Sequence, residues 1–369
     1  MKSMLSPARK TAFSVLHKVQ GGGWASDLLR AETAALASRD AGLASEIVFG
    51  VLRFQAQLDY LIEHYSGARK RLDAEVRAAL RMGIYQLRYL DRVPAHAAVA
   101  DSVELVKRGP KRSAAGFVNA ILRKVDRGPV AWPSREIELS CPEWLLARWE
   151  KHYGAQGAAG IARAALYAPE TYVRTGQLAG AAYSRIQDIG SQAIVPLLAL
   201  EKGQSFLDLC AAPGNKTAQA LEAGVEAVAC DLHFHRLAQM KTLTANLVVL
   251  DGTRGLPFGA RFERILVDAP CSGTGTLGRN PEIKWRLAPD DLDDLPRRQK
   301  ALLANALAVL APGGRLVYST CSLEPEENQQ VVAAVAPELV TEVLERIPGR
   351  DAGDGFWAAV LKSGKASNG

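Results

Sequence analysis

Several features are scarce in this sequence, and each absence removes a class of protein. No window approaches the roughly 18 uninterrupted apolar residues that a membrane-crossing helix needs, and the first residues, MKSMLSPARKTAF, hold no apolar stretch long enough for a secretion signal. The expectation is a soluble, cytoplasmic protein with no membrane partner. The five cysteines, Cys141, Cys210, Cys230, Cys271 and Cys321, are odd in number, dispersed and without a close CxxC pair. Neither a disulfide framework nor a zinc or other metal cluster is expected, which leaves reduced thiols free for chemistry. The segment DLCAAPGNKT, which turns from a candidate strand into a helix, lacks the GxGxxG pattern, which disfavours a nicotinamide cofactor there. There is no internal repeat and no low-complexity tract, apart from a short polar tail, placed at 364–369 and expected to be disordered.

What is present is enough chain for more than one domain: 369 residues, 48% of them hydrophobic. The net charge of +6 is unevenly spread. Residues 1–130 hold 21 Lys and Arg against 12 Asp and Glu, whereas 131–369 hold 24 against 27. A basic surface confined to the first third is suited to a polyanion, because each neutralised phosphate releases counterions.

From Pro7 to about Arg127 the apolar residues recur at i, i+3 and i+4, which predicts an all-α bundle. Basic residues cluster beside its breaks: Arg69, Lys70 and Arg71; Lys107, Arg108, Lys111 and Arg112; Arg123, Lys124 and Arg127. Helix ends and loops are where phosphate contacts are easiest to make. Residues 128–175 read as a Pro- and Ala-rich joining region with a short helix near CPEWLLARWEKHY. Beyond Ser184, the runs SFLDLC, VEAVAC, RILVDA and RLVYST each end beside a polar or acidic loop. This alternation with helices predicts an α/β domain with parallel strands, doubly wound, whose ligands bind at the carboxyl ends of the strands.

Three strand ends in order carry candidate ligand contacts. After SFLDLC, the small residues Ala211, Ala212, Pro213 and Gly214 form a turn ahead of a helix expected to start near Lys216, so a ligand can approach the backbone and its free N–H groups. Asp231, 17 residues after Gly214, is placed to accept hydrogen bonds from ribose hydroxyls, and Asp251 to reach an adenine edge. Asp268 then precedes Pro270 and Cys271, and Cys321 ends the next strand 50 residues later. Adjacent parallel strands would bring both thiols over one crevice.

Two resemblances organise these features. DAGLASEIVFGVLR, MGIYQLRYLDRVPAHAAVADSVELVKR and AGFVNAILRKV resemble the NusB-like RNA-binding domain of a bacterial rRNA methyltransferase. DLCAAPGNKT, DAPCSGTG and STCSLEPEEN resemble the cofactor and catalytic motifs of the RNA (cytosine-5)-methyltransferase family. Together they imply a NusB-like helical domain (1–130), a linker with a shortened RNA-binding subdomain (131–183), and a Rossmann-like class I methyltransferase domain (184–363). They also imply S-adenosyl-L-methionine as cofactor, held by Cys210, Ala211, Ala212, Pro213, Gly214, Asn215, Lys216, Asp231, Arg236, Asp251 and Asp268. Asn215 stands where the family usually has Gly; because Asn tolerates a left-handed backbone, the turn is expected to survive. QDIGSQ, with Gln187, Asp188, Ser191 and Gln192, resembles the motif that closes over the methionine portion, with Gly190 in place of the usual Ser. GDGFWAAVLK resembles the family's last strand, expected to complete an antiparallel edge.

The chemistry explains the thiols. Carbon 5 of cytosine is too weak a nucleophile to take a methyl group from a sulfonium, but a thiolate added to carbon 6 makes carbon 5 an enamine carbon that can. Residue chemistry alone leaves open which cysteine attacks. The family resemblance implies Cys321 as nucleophile, Cys271 in product release and Asp268 holding the base. It also implies small-subunit (16S) rRNA as partner, contacted by Lys107, Arg108, Lys111, Arg112 and Arg123, with Lys284 and Trp285 along the path of the target nucleotide. A monomer is expected. The competing readings are a tRNA substrate with the same chemistry, or a catalytically inactive RNA-binding or antitermination factor.

Overall fold

The computed structural model describes residues 5–67, 72–178, 181–243 and 246–364. The cluster Arg69, Lys70 and Arg71, and the tail beyond residue 364, lie outside the described residues. The chain divides into two compact units, Met1–Ala168 with Leu277–Arg286, and Pro169–Thr276 with Leu287–Gly369. These boundaries differ from a simple division at 130 and 183. The joining helix stays with the first unit, and so do ten residues taken from the middle of the second. No helix among the described residues is long and apolar enough to cross a membrane.

The first unit is helical throughout: α1 (Pro7–Gln20), α2 (Ala25–Thr33), α3 (Ser38–Arg53), α4 (Gln55–Ser66), α5 (Ala74–Tyr89), α6 (Ala95–Arg108), α7 (Ala115–Leu122), α8 (Arg135–Glu138) and α9 (Glu143–Ala164). The 3.6-residue pattern puts Ala8, Ala12, Val15 and Val19 of α1 and Val76, Ala79, Leu80 and Ile84 of α5 into one shared core. Gly154 leaves helical geometry at φ 72°, breaking α9 into two pieces. Inside the bundle, Arg9 donates from Nε to Gln86 Oε1 (2.6 Å) and from Nη1 to Asp101 Oδ2 (2.9 Å). Both members of this ion pair are about 6% exposed.

The Leu277–Arg286 segment packs into this unit through polar contacts as well as apolar ones. Arg53 donates from Nε and Nη2 to Gly278 O (3.0 and 2.8 Å), and Lys284 Nζ donates to Arg53 O (2.9 Å). Trp285 Nε1 donates to Leu52 O (2.7 Å), and the Ala25 N–H donates to Glu282 Oε1 (2.8 Å).

The second unit opens with a two-stranded antiparallel hairpin, β1 (Val173–Leu178) and β2 (Ala181–Ile186). A seven-stranded sheet follows, built from β3 (Ser205–Asp208), β4 (Glu226–Asp231), β5 (Leu247–Val249), β6 (Phe262–Asp268), β7 (Leu310–Thr320), β8 (Val340–Arg346) and β9 (Phe356–Lys362). Its order is β5-β4-β3-β6-β7-β9-β8. The strands from β5 to β7 pair in parallel, and β9 is antiparallel to both neighbours. The expected antiparallel last strand is therefore present but interior, and β8 is the edge. Alternating side chains face opposite ways. Leu207, Ile265 and Leu316 join a core with Leu302, Leu303 and Ala306 of the Asp291–Ala308 helix, while Phe206, Leu266 and Val317 pack with Ile194, Val195 and Leu198.

Breaking a buried ion pair from one side strands the other charge, at a cost of about 3–5 kcal/mol. Asp101→Ala should therefore destabilise the helical unit by about that amount, and Arg9→Met added to Asp101→Leu should recover most of it. Denaturant unfolding followed by circular dichroism checks this, and equal losses in the single and double variants would contradict it.

Candidate active site

The carboxyl ends of β3, β4, β6 and β7 carry the candidate residues. At the end of β3 the chain turns through Ala211, Ala212 and Pro213 to Gly214, whose φ of 96° is the left-handed step. A Cβ at Gly214 would meet Leu243 Cδ1 at 2.8 Å and Met240 Cγ at 2.9 Å. Asn215 follows as the first residue of the Asn215–Leu221 helix. The turn survives, but for a different reason from the one expected: Gly214 takes the left-handed conformation and Asn215 has no need to. Asn215 accepts from Arg185 Nη1 (3.2 Å) and donates to Ile186 O (3.3 Å), linking the turn to β2.

This turn borders a cavity of about 120 Å³ lined by Ser191, Asp208, Cys210, Lys216 and Asp268 together with the small residues of the loop. Asp208, absent from the sequence-based set, is 1% exposed. Its Oδ2 accepts from Thr217 Oγ1 (2.6 Å), while Oδ1 has no hydrogen-bond partner. Burial pushes its carboxyl up to about 7, against the opposing pull of the Thr217 hydroxyl. Lys216 Nζ, over the Phe356 ring at 5.1 Å, donates to Asp268 Oδ2 (2.7 Å). Asp268 Oδ1 accepts from Ser319 Oγ (2.8 Å).

Asp231 and Arg236 brace the loop from one side. Asp231 Oδ2 accepts from the Ala212 N–H (3.2 Å), and Arg236 Nη2 donates to Ala212 O (2.9 Å). Asp251 is occupied locally, its Oδ1 accepting from the Thr253 N–H (3.0 Å) and Oγ1 (2.6 Å). In QDIGSQ, Asp188 Oδ1 accepts from the Gly190 N–H (2.8 Å) and the Asp354 N–H (3.0 Å). Gly190 has a packing reason: a Cβ there would lie 2.7 Å from the Phe356 ring and 2.8 Å from Asp354 O.

The register of β6 on β7 pairs Asp268 with Ser319. Cys271 and Cys321 follow these two residues closely, and their Sγ atoms lie 3.4 Å apart in hydrogen-bond contact. The Cys321 sulfur beside it, together with burial, pushes the Cys271 thiol well above its ordinary range. Beneath the pair lies a residue that the sequence reading did not single out. Glu327, fully buried, accepts through Oε2 from the Ser272 N–H (2.8 Å) and Gln299 Nε2 (2.9 Å), and through Oε1 from Ser322 Oγ (2.7 Å). Ser272 Oγ and Ser322 Oγ are themselves 3.0 Å apart. One carboxylate thus ties together the residues that follow the two cysteines. It sits inside STCSLEPEEN, so the signal was in view, but nothing linear says which of its acids turns inward.

Of the residues expected to meet RNA, Lys107, Arg108, Lys111, Arg112 and Arg123 are exposed on the helical unit. Arg108 and Lys111 already pair with Glu104 (2.8 Å) and Asp73 (3.0 Å). Lys284 does not line a nucleotide path. It is 1% exposed, bound to the Arg53 carbonyl, and burial lowers its amine to about 8. Trp285 is half-buried and held at its indole nitrogen by Leu52 O, so it too is part of the helical packing.

The model of the 16S rRNA methyltransferase RsmB/F family matches residues 195–362, and that of the NusB family matches residues 6–127. Ribosomal RNA small subunit methyltransferase B of Citrobacter koseri is 32% identical, covering 95% of this chain and 97% of that protein. The probable enzyme of the same name from Bacillus subtilis is 30% identical over 82% and 81%. Among solved structures, that of PH0851 superposes with a TM-score of 0.76 at 20% identity, over 98% of this chain and 99% of that one, which supports the fold.

Two outcomes follow from the geometry. Asp208, with its carboxyl raised on folding, favours the folded state below the unfolded value near 4 and loses that advantage as pH rises through about 7. Asp208→Asn should therefore raise the melting temperature more at pH 7.5 than at pH 5; an equal shift at both would show that the buried charge is not the cause. Glu327→Gln removes a negative charge that raises the Cys271 thiol, so alkylation of Cys271, followed by mass spectrometry, should move to lower pH. An unmoved profile would show that the carboxylate acts on packing alone.

Proposed function

The chain belongs to the 16S rRNA methyltransferase RsmB/F family and carries that family's NusB-type domain, and from that premise we propose that it methylates carbon 5 of a cytosine in small-subunit rRNA through a covalent cysteine–cytosine intermediate. The observation that carries this reading is the pair of thiols 3.4 Å apart at adjacent strand ends, with Asp268 at the same strand end and also on the wall of the small-residue cavity.

That cavity, of about 120 Å³, takes one portion of S-adenosyl-L-methionine. The small residues Ala211, Ala212 and Pro213 on its wall let a ligand lie against the backbone, and Asp208 keeps an acceptor atom without a partner among the described residues. Asp231 holds the loop's shape through Ala212. Bound there, the cofactor supplies the methyl group.

The protein's own part is to make the base reactive. Cys321 adds through sulfur to carbon 6, and the ring electrons move so that carbon 5 becomes nucleophilic. Asp268, already oriented by Lys216 and Ser319, holds the N3 and N4 edge of the base. After methylation the carbon 5 proton passes to water, its bonding pair reforms the carbon 5–carbon 6 double bond, and the carbon 6–sulfur pair leaves with Cys321 as thiolate, so that aromaticity returns. Cys271, kept protonated by its burial and its neighbour, is the thiol beside the departing sulfur and assists this release. The target base must leave its stack to be attacked, which single-stranded or looped RNA allows at least cost.

The test is methyl transfer from labelled S-adenosyl-L-methionine to unmethylated small-subunit rRNA and to bulk tRNA, with the modified nucleoside identified by mass spectrometry. 5-Methylcytidine is expected in rRNA, lost to background in Cys321→Ser, while Cys271→Ala accumulates a covalent RNA adduct on denaturing gels. Undiminished turnover in Cys321→Ser overturns the nucleophile. Product in tRNA alone overturns the substrate.

A further inference from the structure

The helical unit holds an open cavity of about 530 Å³, within the size range of small-molecule sites, whose use nothing so far explains. Three guanidinium groups and one carboxylate line it. Arg77 and Arg81 stand one turn apart on α5, on the same face. Arg81, 7% exposed, is locked by Asp59 (2.8 and 2.6 Å) and by Gln55 Oε1 (3.2 Å). Arg286 enters from the Leu277–Arg286 segment, anchored on Val19 O (2.7 Å) and Gly23 O. The Arg77 guanidinium, unlike its backbone N–H, which donates to Asp73 O (3.0 Å), has no hydrogen-bond or ion-pair partner among the described residues.

The rest of the lining is equally particular. Trp285 contributes an indole whose orientation is set by its bond to Leu52 O. Glu282, 1% exposed, is held at Oε1 by the Ala25 N–H, and its Oε2 has no hydrogen-bond partner. The wall therefore combines an uncommitted cation, two fixed cations, a fixed aromatic ring and an acceptor lacking a donor. A phosphate, the face of a base and an amino group on its edge match these in turn.

We propose that this cavity receives one nucleotide of single-stranded RNA, its phosphate met by Arg77 with Arg286 and its base stacked on Trp285. The proposal rests on the RNA reading above for the polymer and is independent of the methylation chemistry. It also gives the borrowed segment a ligand-binding role, since Glu282, Trp285 and Arg286 all come from it.

The test measures binding of a fluorescent single-stranded RNA oligonucleotide, and separately of a nucleoside 5′-monophosphate, to the full chain. Two variants act on the cavity by different physics. Arg77→Glu reverses the free cation, and Ala74→Trp, at the exposed first residue of α5 on the cavity wall, fills the space without changing charge. Unchanged melting temperature and S-adenosyl-L-methionine binding serve as controls for folding. Both variants should weaken RNA binding by about tenfold or more, and Arg77→Glu should reduce the salt slope by about one.

If Arg77→Glu weakens binding but Ala74→Trp does not, the effect is general surface charge and the proposal is overturned. It is equally overturned if neither variant matters, or if Ala74→Trp blocks only the free mononucleotide. A wild-type chain that methylates rRNA while RNA affinity ignores both variants sinks the cavity and leaves the catalytic reading standing. RNA bound through the cavity without methylation does the reverse.

Discussion

The pairing of β6 with β7 in parallel is the constraint on which the candidate chemistry depends. Because Asp268 and Ser319 are partners in that register, the loops that follow must start side by side, and two cysteines 50 positions apart in sequence become neighbours. A slip of one residue would turn every side chain of β7 to the opposite face. It would place Tyr318, whose hydroxyl now donates to Glu327 O (2.6 Å), where Ser319 meets Asp268. The backbone pairing thus sets the position of the Asp268 carboxylate as well as that of the thiols.

Strand pairing brings the two loops together but does not hold them at a fixed spacing, and a buried carboxylate supplies that second requirement. Glu327 takes donors from both loops and from Gln299 of the Asp291–Ala308 helix. A buried carboxylate is costly unless its oxygens are satisfied. The arrangement is therefore stable only when both loops and the helix are in place, which makes the spacing of the sulfurs a property of the whole unit. The same negative charge adds to the Cys321 sulfur and to burial in raising the Cys271 thiol, so the group that spaces the two loops also acts on the chemistry of one of them.

The parts of this organisation that were legible in the sequence are those written in local order. The short apolar runs SFLDLC, VEAVAC, RILVDA and RLVYST announced the parallel strands, and the helical period of 7–127 announced the bundle. The lines of sight failed where a fact depends on distant chain. Asp208 looks like any strand residue until its burial, which outweighs the opposing Thr217 hydroxyl, reveals its raised carboxyl. β8, with its exposed and intermediate residues, carries no strong apolar pattern, so β9 was expected at the edge. The left-handed step lies one residue earlier than expected: Asn215, standing where the family usually has Gly, was expected to tolerate it, whereas Gly214 takes it at φ 96°.

The Leu277–Arg286 segment is the case in which sequence order misleads most. It lies between two strands of the sheet, follows the Cys271 loop directly and contains a Lys and a Trp, which together read as an RNA-facing path. For its acid and its lysine burial tells otherwise: Glu282 and Lys284 are each about 1% exposed, and both are paired with atoms of the first 53 residues. Neither could be left in that state by a catalytic piece cut at residue 184, because the partners that satisfy them would be gone. Domain boundaries drawn from periodicity alone thus describe two sequence patterns, whereas the folded unit that contains α1 to α9 is complete only with ten residues from the other pattern. The Leu277–Arg286 segment is accordingly part of the helical unit's fold, although sequence order sets it between two strands of the sheet.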